Sequence, residues 1–228
     1  MNFKHFGAAP ILSVLLMLAA PSANAEGELM VMPATTRLVS THDQNVTVKN
    51  LGDSPMYLAI SLQKVTNPGM SKEEKVDLND LEHPQVLVSP DKLTLGPSQS
   101  RAIRLKSLAE IDREELYRLY IVPVKSLKVD EAPQDKITAP MSVAVGYGVL
   151  VRHMPLPGKQ REAWAHRCEQ GGITLESTGT VRVVFPDITY SGAKRPETVA
   201  VFPGTPRHFA TKRLKFDAGG AQRTVECP

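Results

Sequence analysis

Residues 140–152 read Pro140-Met141-Ser142-Val143-Ala144-Val145-Gly146-Tyr147-Gly148-Val149-Leu150-Val151-Arg152. Large apolar or aromatic side chains hold positions 141, 143, 145, 147 and 149, and small ones hold 142, 144, 146 and 148. A strand sends successive side chains to opposite faces, so this segment predicts a strand with one knobbed face and one smooth face. Two readings fit it. A half-buried strand would drive the bulky row into its own core. An edge strand would offer that row to a partner, because an edge leaves N–H and C=O groups to which another strand can add.

Similar runs lie on both sides. Residues 46–50 end at the turn Leu51-Gly52-Asp53-Ser54-Pro55, and residues 56–65 continue until Asn67-Pro68-Gly69 breaks them. Residues 86–88 and 92–95 precede the turn Gly96-Pro97, and residues 101–106 and 117–124 alternate cleanly. Short strands with turns every roughly 8–12 residues predict all-β sandwiches. The one helical prospect is residues 108–115. A stiff linker falls at His153-Met154-Pro155-Leu156-Pro157-Gly158-Lys159. Beyond it the pattern restarts at 172–176, turns at Ser177-Thr178-Gly179, and continues through 181–185, 198–202, 207–210 and 213–216. The expected organisation is a first domain over 26–153, a linker over 154–159 and a second domain over 160–228. Each domain has room for one immunoglobulin-sized sandwich.

Residues 1–25 read as a secretory signal peptide. Lys4 supplies the positive start, residues 11–20 the apolar core, and Ala23-Asn24-Ala25 the small-x-small cleavage pattern. The apolar run is too short to span about 30 Å of hydrocarbon, so an exported product without stable membrane insertion is expected. In an oxidising compartment the chain's 2 cysteines, Cys168 and Cys227, most simply form one disulfide. A catalytic or metal-binding thiol is the alternative, but neither flank carries a C-x-x-C or nucleophile signature.

The 228 residues carry a net charge of +3, with 42% apolar and 22% charged residues, an ordinary globular balance that lends no support to a nucleic-acid partner. The 18 prolines disfavour a long helical bundle. There is no H-E-x-x-H, P-loop, G-x-S-x-G or G-x-G-x-x-G, and the histidine spacings match no ligand set. No catalytic residue, metal or cofactor is therefore expected. The run Asp112-Arg113-Glu114-Glu115 reads as a solvated charged face.

The order and spacing of several segments make the chain resemble the periplasmic pilus chaperones of the chaperone–usher pathway, in the alternate, class 5 branch that serves thin enterotoxigenic-type fimbriae. The segments are residues 30–38 (Met30-Val31-Met32-Pro33-Ala34-Thr35-Thr36-Arg37-Leu38), Val65-Thr66-Asn67-Pro68-Gly69, residues 88–97, Ala102-Ile103-Arg104-Leu105, residues 115–120, residues 149–155 and residues 175–183. The resemblance spans nearly all of the exported chain, more closely in the first domain than in the second. It implies two immunoglobulin-like sandwiches set as a boomerang with a cleft. It also implies a periplasmic location, pilin subunits and an outer-membrane usher as partners, and no enzymatic activity.

In that family the last strand of the first domain is lent to a pilin that lacks one of its own, a form of β-augmentation. The row Met141, Val143, Val145, Tyr147 and Val149 would supply the donated side chains. Two basic residues of the cleft would hold the pilin's C-terminal carboxylate. Arg37 matches the first, with Thr36 as the one-residue shift. Arg152 is taken as the second, although the family's lysine falls on Arg152 or on Gly148 according to the alignment. The charged segment 125–136 would be the long loop before the donor strand. A bare apolar edge also offers a surface for pairing with a second copy. The alternative function is a two-domain immunoglobulin-like structural or adhesive pilus component.

Overall fold

The structure, a computed structural model, describes residues 28–124, 145–169 and 171–228. The signal peptide, the charged segment 125–136 and the donor positions Met141 and Val143 lie outside the described residues. Among the described residues no helix is long and apolar enough to cross a membrane.

Period-two patterning builds the first half. Its strands are β1 (Leu29–Met32), β2 (Thr35–Leu38), β3 (Gln44–Asn50), β4 (Met56–Val65), β5 (Lys75–Asp77), β6 (Val86–Ser89), β7 (Lys92–Leu95), β8 (Ser100–Ser107), β9 (Glu115–Val124) and β10 (Tyr147–His153). One sheet runs β1-β3-β8-β6, and the other runs β2-β10-β9-β4-β5 with β7 also on β4. The alternate residues Met56, Leu58, Ile60 and Leu62 of β4 are buried, facing Ile103 and Leu105 in one core. The opening strand serves both sheets. β1 pairs with β3, whereas β2 pairs in parallel with β10. The chain changes sheet at Pro33-Ala34, where proline cannot donate to a ladder.

The second half repeats the scheme with β11 (Trp164–Glu169), β12 (Gly172–Ser177), β13 (Val183–Tyr190), β14 (Glu197–Val201), β15 (Arg207–Phe209), β16 (Arg213–Ala218) and β17 (Ala221–Glu226). Its sheets run β11-β12-β15 and β14-β13-β16-β17. Trp164 meets Phe185 and Phe216 edge-on, both at 5.4 Å, at the margin of a separate core. Cys168 and Cys227 form the expected disulfide, with Cα atoms 5.6 Å apart. The bond joins the edge strand of one sheet to the end of the edge strand of the other. Closing a loop of 59 residues stabilises a fold by about 4 kcal/mol in the chain-entropy picture.

The runs read from patterning leave out β1 and β2, which fall in the segment 30–38 quoted for the resemblance, and also β5, β11 and β17. β11 and β17 are mostly exposed edge strands, and β5 has only 3 residues, so none shows clean alternation. The helical prospect over residues 108–115 is corrected: the segment is a loop that enters β9 at Glu115. Tertiary partners override its weak helical preference. Ser107 donates to the Ala109 carbonyl, Ile111 is buried, and the Glu114 N–H donates to the Thr180 carbonyl of the second sandwich.

Candidate functional site

β10 has two different edges. Along one it pairs with β9 from Tyr147 to His153. Along the other it pairs with β2 only from Leu150 to His153. Before Leu150 that edge meets no strand among the described residues. Val145 is 67% exposed and Tyr147 36% exposed, while Val149 is 1% exposed in the first core, opposite Leu119. The alternating row therefore divides. Val145 and Tyr147 are displayed, and Val149 is corrected from a donated side chain to a residue of the domain's own core. The division falls where β2 begins to close the sheet. On the smooth face, a Cβ at Gly146 would lie 3.1 Å from the Val122 side chain and one at Gly148 3.7 Å from the Tyr120 ring. Small residues let β10 lie flat against those β9 side chains.

The expected cations occupy unlike environments. Arg37 is exposed on β2, directly beside Arg152 in the parallel register. Arg152 is only 5% exposed. Its Nε and Nη2 donate to the two oxygens of Glu114 at 2.5 and 2.9 Å, and the Glu114 side chain is itself fully buried. Arg152 is nearly buried and its Nε–Nη2 edge is taken by an internal carboxylate, so Arg152 is corrected from exposed carboxylate anchor to structural ion pair. Glu114 Oε2 also accepts the backbone N–H of Arg182 at 2.8 Å, which ties the first sandwich to the second. The Arg182 guanidinium lies over the Phe202 ring, 5.7 Å from its centroid. Burial, with Arg152 and Arg37 nearby, pulls it below its ordinary pKa, and Glu114 opposes that shift.

Sequence reading misses Glu114 and Arg182. Glu114 sits in a run of mixed charge that resembles any solvated face, and its partners lie 38 and 68 residues away. Around them Val65, Leu116 and Phe202 are buried together, with Leu150 and Ala200 packed against them. Gly69, with φ +87°, approaches so closely that a Cβ would sit 2.5 Å from the Ala200 carbonyl oxygen. The outer face of the donor sheet thus ends against the second sandwich. Near Gly148, Lys75 donates to the Tyr120 hydroxyl at 2.8 Å, and the Arg118 fork is held by Glu73.

His153 closes β10 and is fully buried. The Ser107 hydroxyl gives its proton to the Ala109 carbonyl, so His153 Nε2–H donates to Ser107 Oγ at 2.8 Å. Among the described residues its Nδ1 has no partner. Burial lowers the pKa, Glu115 opposes, and Lys64 reinforces the lowering. A histidine with a depressed folded pKa contributes full stability above its unfolded value. That stability drains as pH falls below about 6.5 and levels off beneath the folded pKa. Urea midpoints between pH 7.5 and 5 should therefore fall more steeply for the wild type than for His153→Gln. Equal slopes would remove His153 as the cause.

No protein-family model matches the sequence. The chain is 30% identical over 179 residues to a CFA/I fimbrial subunit of Escherichia coli, covering 78% of this chain and 74% of that protein. It is 28% identical over 164 residues to a CS1 fimbrial subunit of Escherichia coli, covering 72% and 68%. Among solved structures, the class 5 fimbriae chaperone CfaA shares the fold at a TM-score of 0.69 and 21% identity, over 88% of this chain and all of that one. A chaperone–tip adhesin complex of CFA/I fimbriae contains a chain with the same fold at a TM-score of 0.68 and 21% identity, over 87% and 98%. With 30% identity across about three quarters of each chain, and both sandwiches in common, this chain belongs to the class 5 fimbrial chaperones of the chaperone–usher pathway.

Proposed function

We propose that the chain is a periplasmic chaperone that binds pilin subunits by donor-strand complementation and delivers them to an outer-membrane usher. It is exported by a signal peptide cleaved after Ala25, and its role is binding, without a chemical step. The observation that carries this reading is the edge of β10, which before Leu150 meets no strand among the described residues, and where Val145 and Tyr147 stand exposed immediately before Val149 turns into the domain's own core. The related CFA/I chaperone occurs in a complex with a tip adhesin.

On this reading Met141, Val143, Val145 and Tyr147 fill the groove of an incomplete pilin, and each buried apolar Å² contributes about 25 cal/mol. Arg37 takes the pilin's C-terminal carboxylate, for which a planar guanidinium fork is suited. The linker residues 154–159 join a pilin-binding domain over 26–153 to a second domain over 160–228. The alternative, a pilin or adhesive component, fits less well: a pilin lacks the last strand of its sandwich, whereas β10 fills that place here.

The test is co-purification of pilin from periplasm. The wild-type chain should bring down pilin, and Tyr147→Asp should lose it by at least about tenfold, because a carboxylate would enter an apolar groove. Undiminished recovery with Tyr147→Asp would overturn the donor-strand assignment.

A further inference from the structure

Charges at the joint between the sandwiches do not balance. Arg37 from β2, Arg152 from β10 and Arg182, just before β13, converge there. Glu114 is the buried carboxylate among them, and both its oxygens are engaged. Among the described residues the guanidiniums of Arg37 and Arg182 make no hydrogen bond or ion pair, and Glu162 is the one further carboxylate that acts on Arg182. A half-buried cation beside two others is unfavourable in water-poor surroundings. It becomes favourable when an anion arrives. Arg182 is held in place: its backbone N–H is fixed on Glu114 and its cation rests on Phe202. A guanidinium over an aromatic face keeps its edge donors free.

We propose that Arg182, from the second sandwich, is the second cation of the carboxylate-binding cleft, so that a pilin's C-terminal carboxylate is held between Arg37 of one sandwich and Arg182 of the other. This rests on the chaperone reading above. It accounts for the departure at Gly148, which has no side chain to offer, and for the loss of Arg152 to Glu114. It also gives the tightly packed joint a purpose, since a carboxylate shared by two domains is read only if their separation is fixed. The anchor then lies about 17 Å along β10 from Tyr147, at 3.3–3.4 Å per residue, which sets where the pilin strand begins its pairing.

The probe is the pilin that co-purifies with the wild-type chain, used full length and with its last residues deleted. Arg182→Ala should reduce recovery of full-length pilin at least about tenfold, as expected for a lost charge-assisted bond. Arg182→Lys should restore part of it. Arg182→Ala should cost nothing further against the truncated pilin, which has no carboxylate in reach. A merely structural role would weaken both pilins equally, and that outcome, or full recovery by a folded Arg182→Ala chain, overturns the inference. If Arg37→Ala alone discriminates between the two pilins, the chaperone reading stands and Arg182 is excluded. If the wild-type chain recovers no pilin, the chaperone reading fails and the inference with it.

Discussion

Glu114→Ala is expected to lower the free energy of unfolding by about 3–5 kcal/mol, the usual cost of breaking a buried ion pair by removing one partner. Three losses coincide. The Arg152 fork keeps its charge at 5% exposure with nothing to receive it. The Arg182 N–H loses its acceptor across the domain joint. Arg37, Arg152 and Arg182 then face one another with less neutralisation. Arg152→Ala should cost less, because the stranded carboxylate still accepts the Arg182 N–H and stands near the Arg182 cation. Glu114→Leu combined with Arg152→Met should recover most of the loss, since apolar replacement of a whole buried pair is often close to neutral. Urea unfolding of the four chains tests the ordering. If Arg152→Ala proves the more damaging, or both single variants lose under about 1 kcal/mol, the pair is not the clasp of the joint.

The pair also shows where sequence reading stops. Alternation carries the fold, because strands such as β4 bury every second residue from Met56 to Leu62. Turn chemistry carries the boundaries in a similar way: Leu51-Gly52-Asp53-Ser54-Pro55 ends β3, where the Gly52 N–H donates to Asn50 Oδ1 and Asn50 Nδ2 donates to the Ser54 carbonyl. The disulfide is legible because export leaves two cysteines with little else to do. Glu114 is not legible, since an acid in a mixed-charge run becomes a buried clasp only when a second domain covers it. Arg152 is misread for the same reason: its position at the end of the donor strand suggests a cleft cation, and only the fold brings Glu114, 38 residues earlier, onto its guanidinium. The edge strands β11 and β17 are missed because strands with one open side need no apolar alternation.

Val149 and Val145 belong to one alternating row yet should answer to the same substitution in opposite ways. Val149→Asp should unfold the first sandwich. Val149 is 1% exposed opposite Leu119, in the core with Val151 and Leu38. Removing it forfeits about 1.5–3 kcal/mol of apolar burial, and an unpaired buried carboxylate adds several kcal/mol more or takes up a proton. Together these approach the whole stability of a domain, about 5–15 kcal/mol. Val145→Asp should leave the urea midpoint within about 0.5 kcal/mol of wild type, because the side chain is 67% exposed and touches little that folding depends on. Its effect should appear only with pilin present, as lost co-purification. The contrast separates two meanings of an alternating strand. If the row served the domain's own core throughout, Val145→Asp would destabilise the free chain as well. If the whole row were donated, Val149→Asp would leave the free chain intact. The expected result, instability at 149 and lost binding at 145, places the handover between 145 and 149, just before β2 begins to pair with β10 at Leu150.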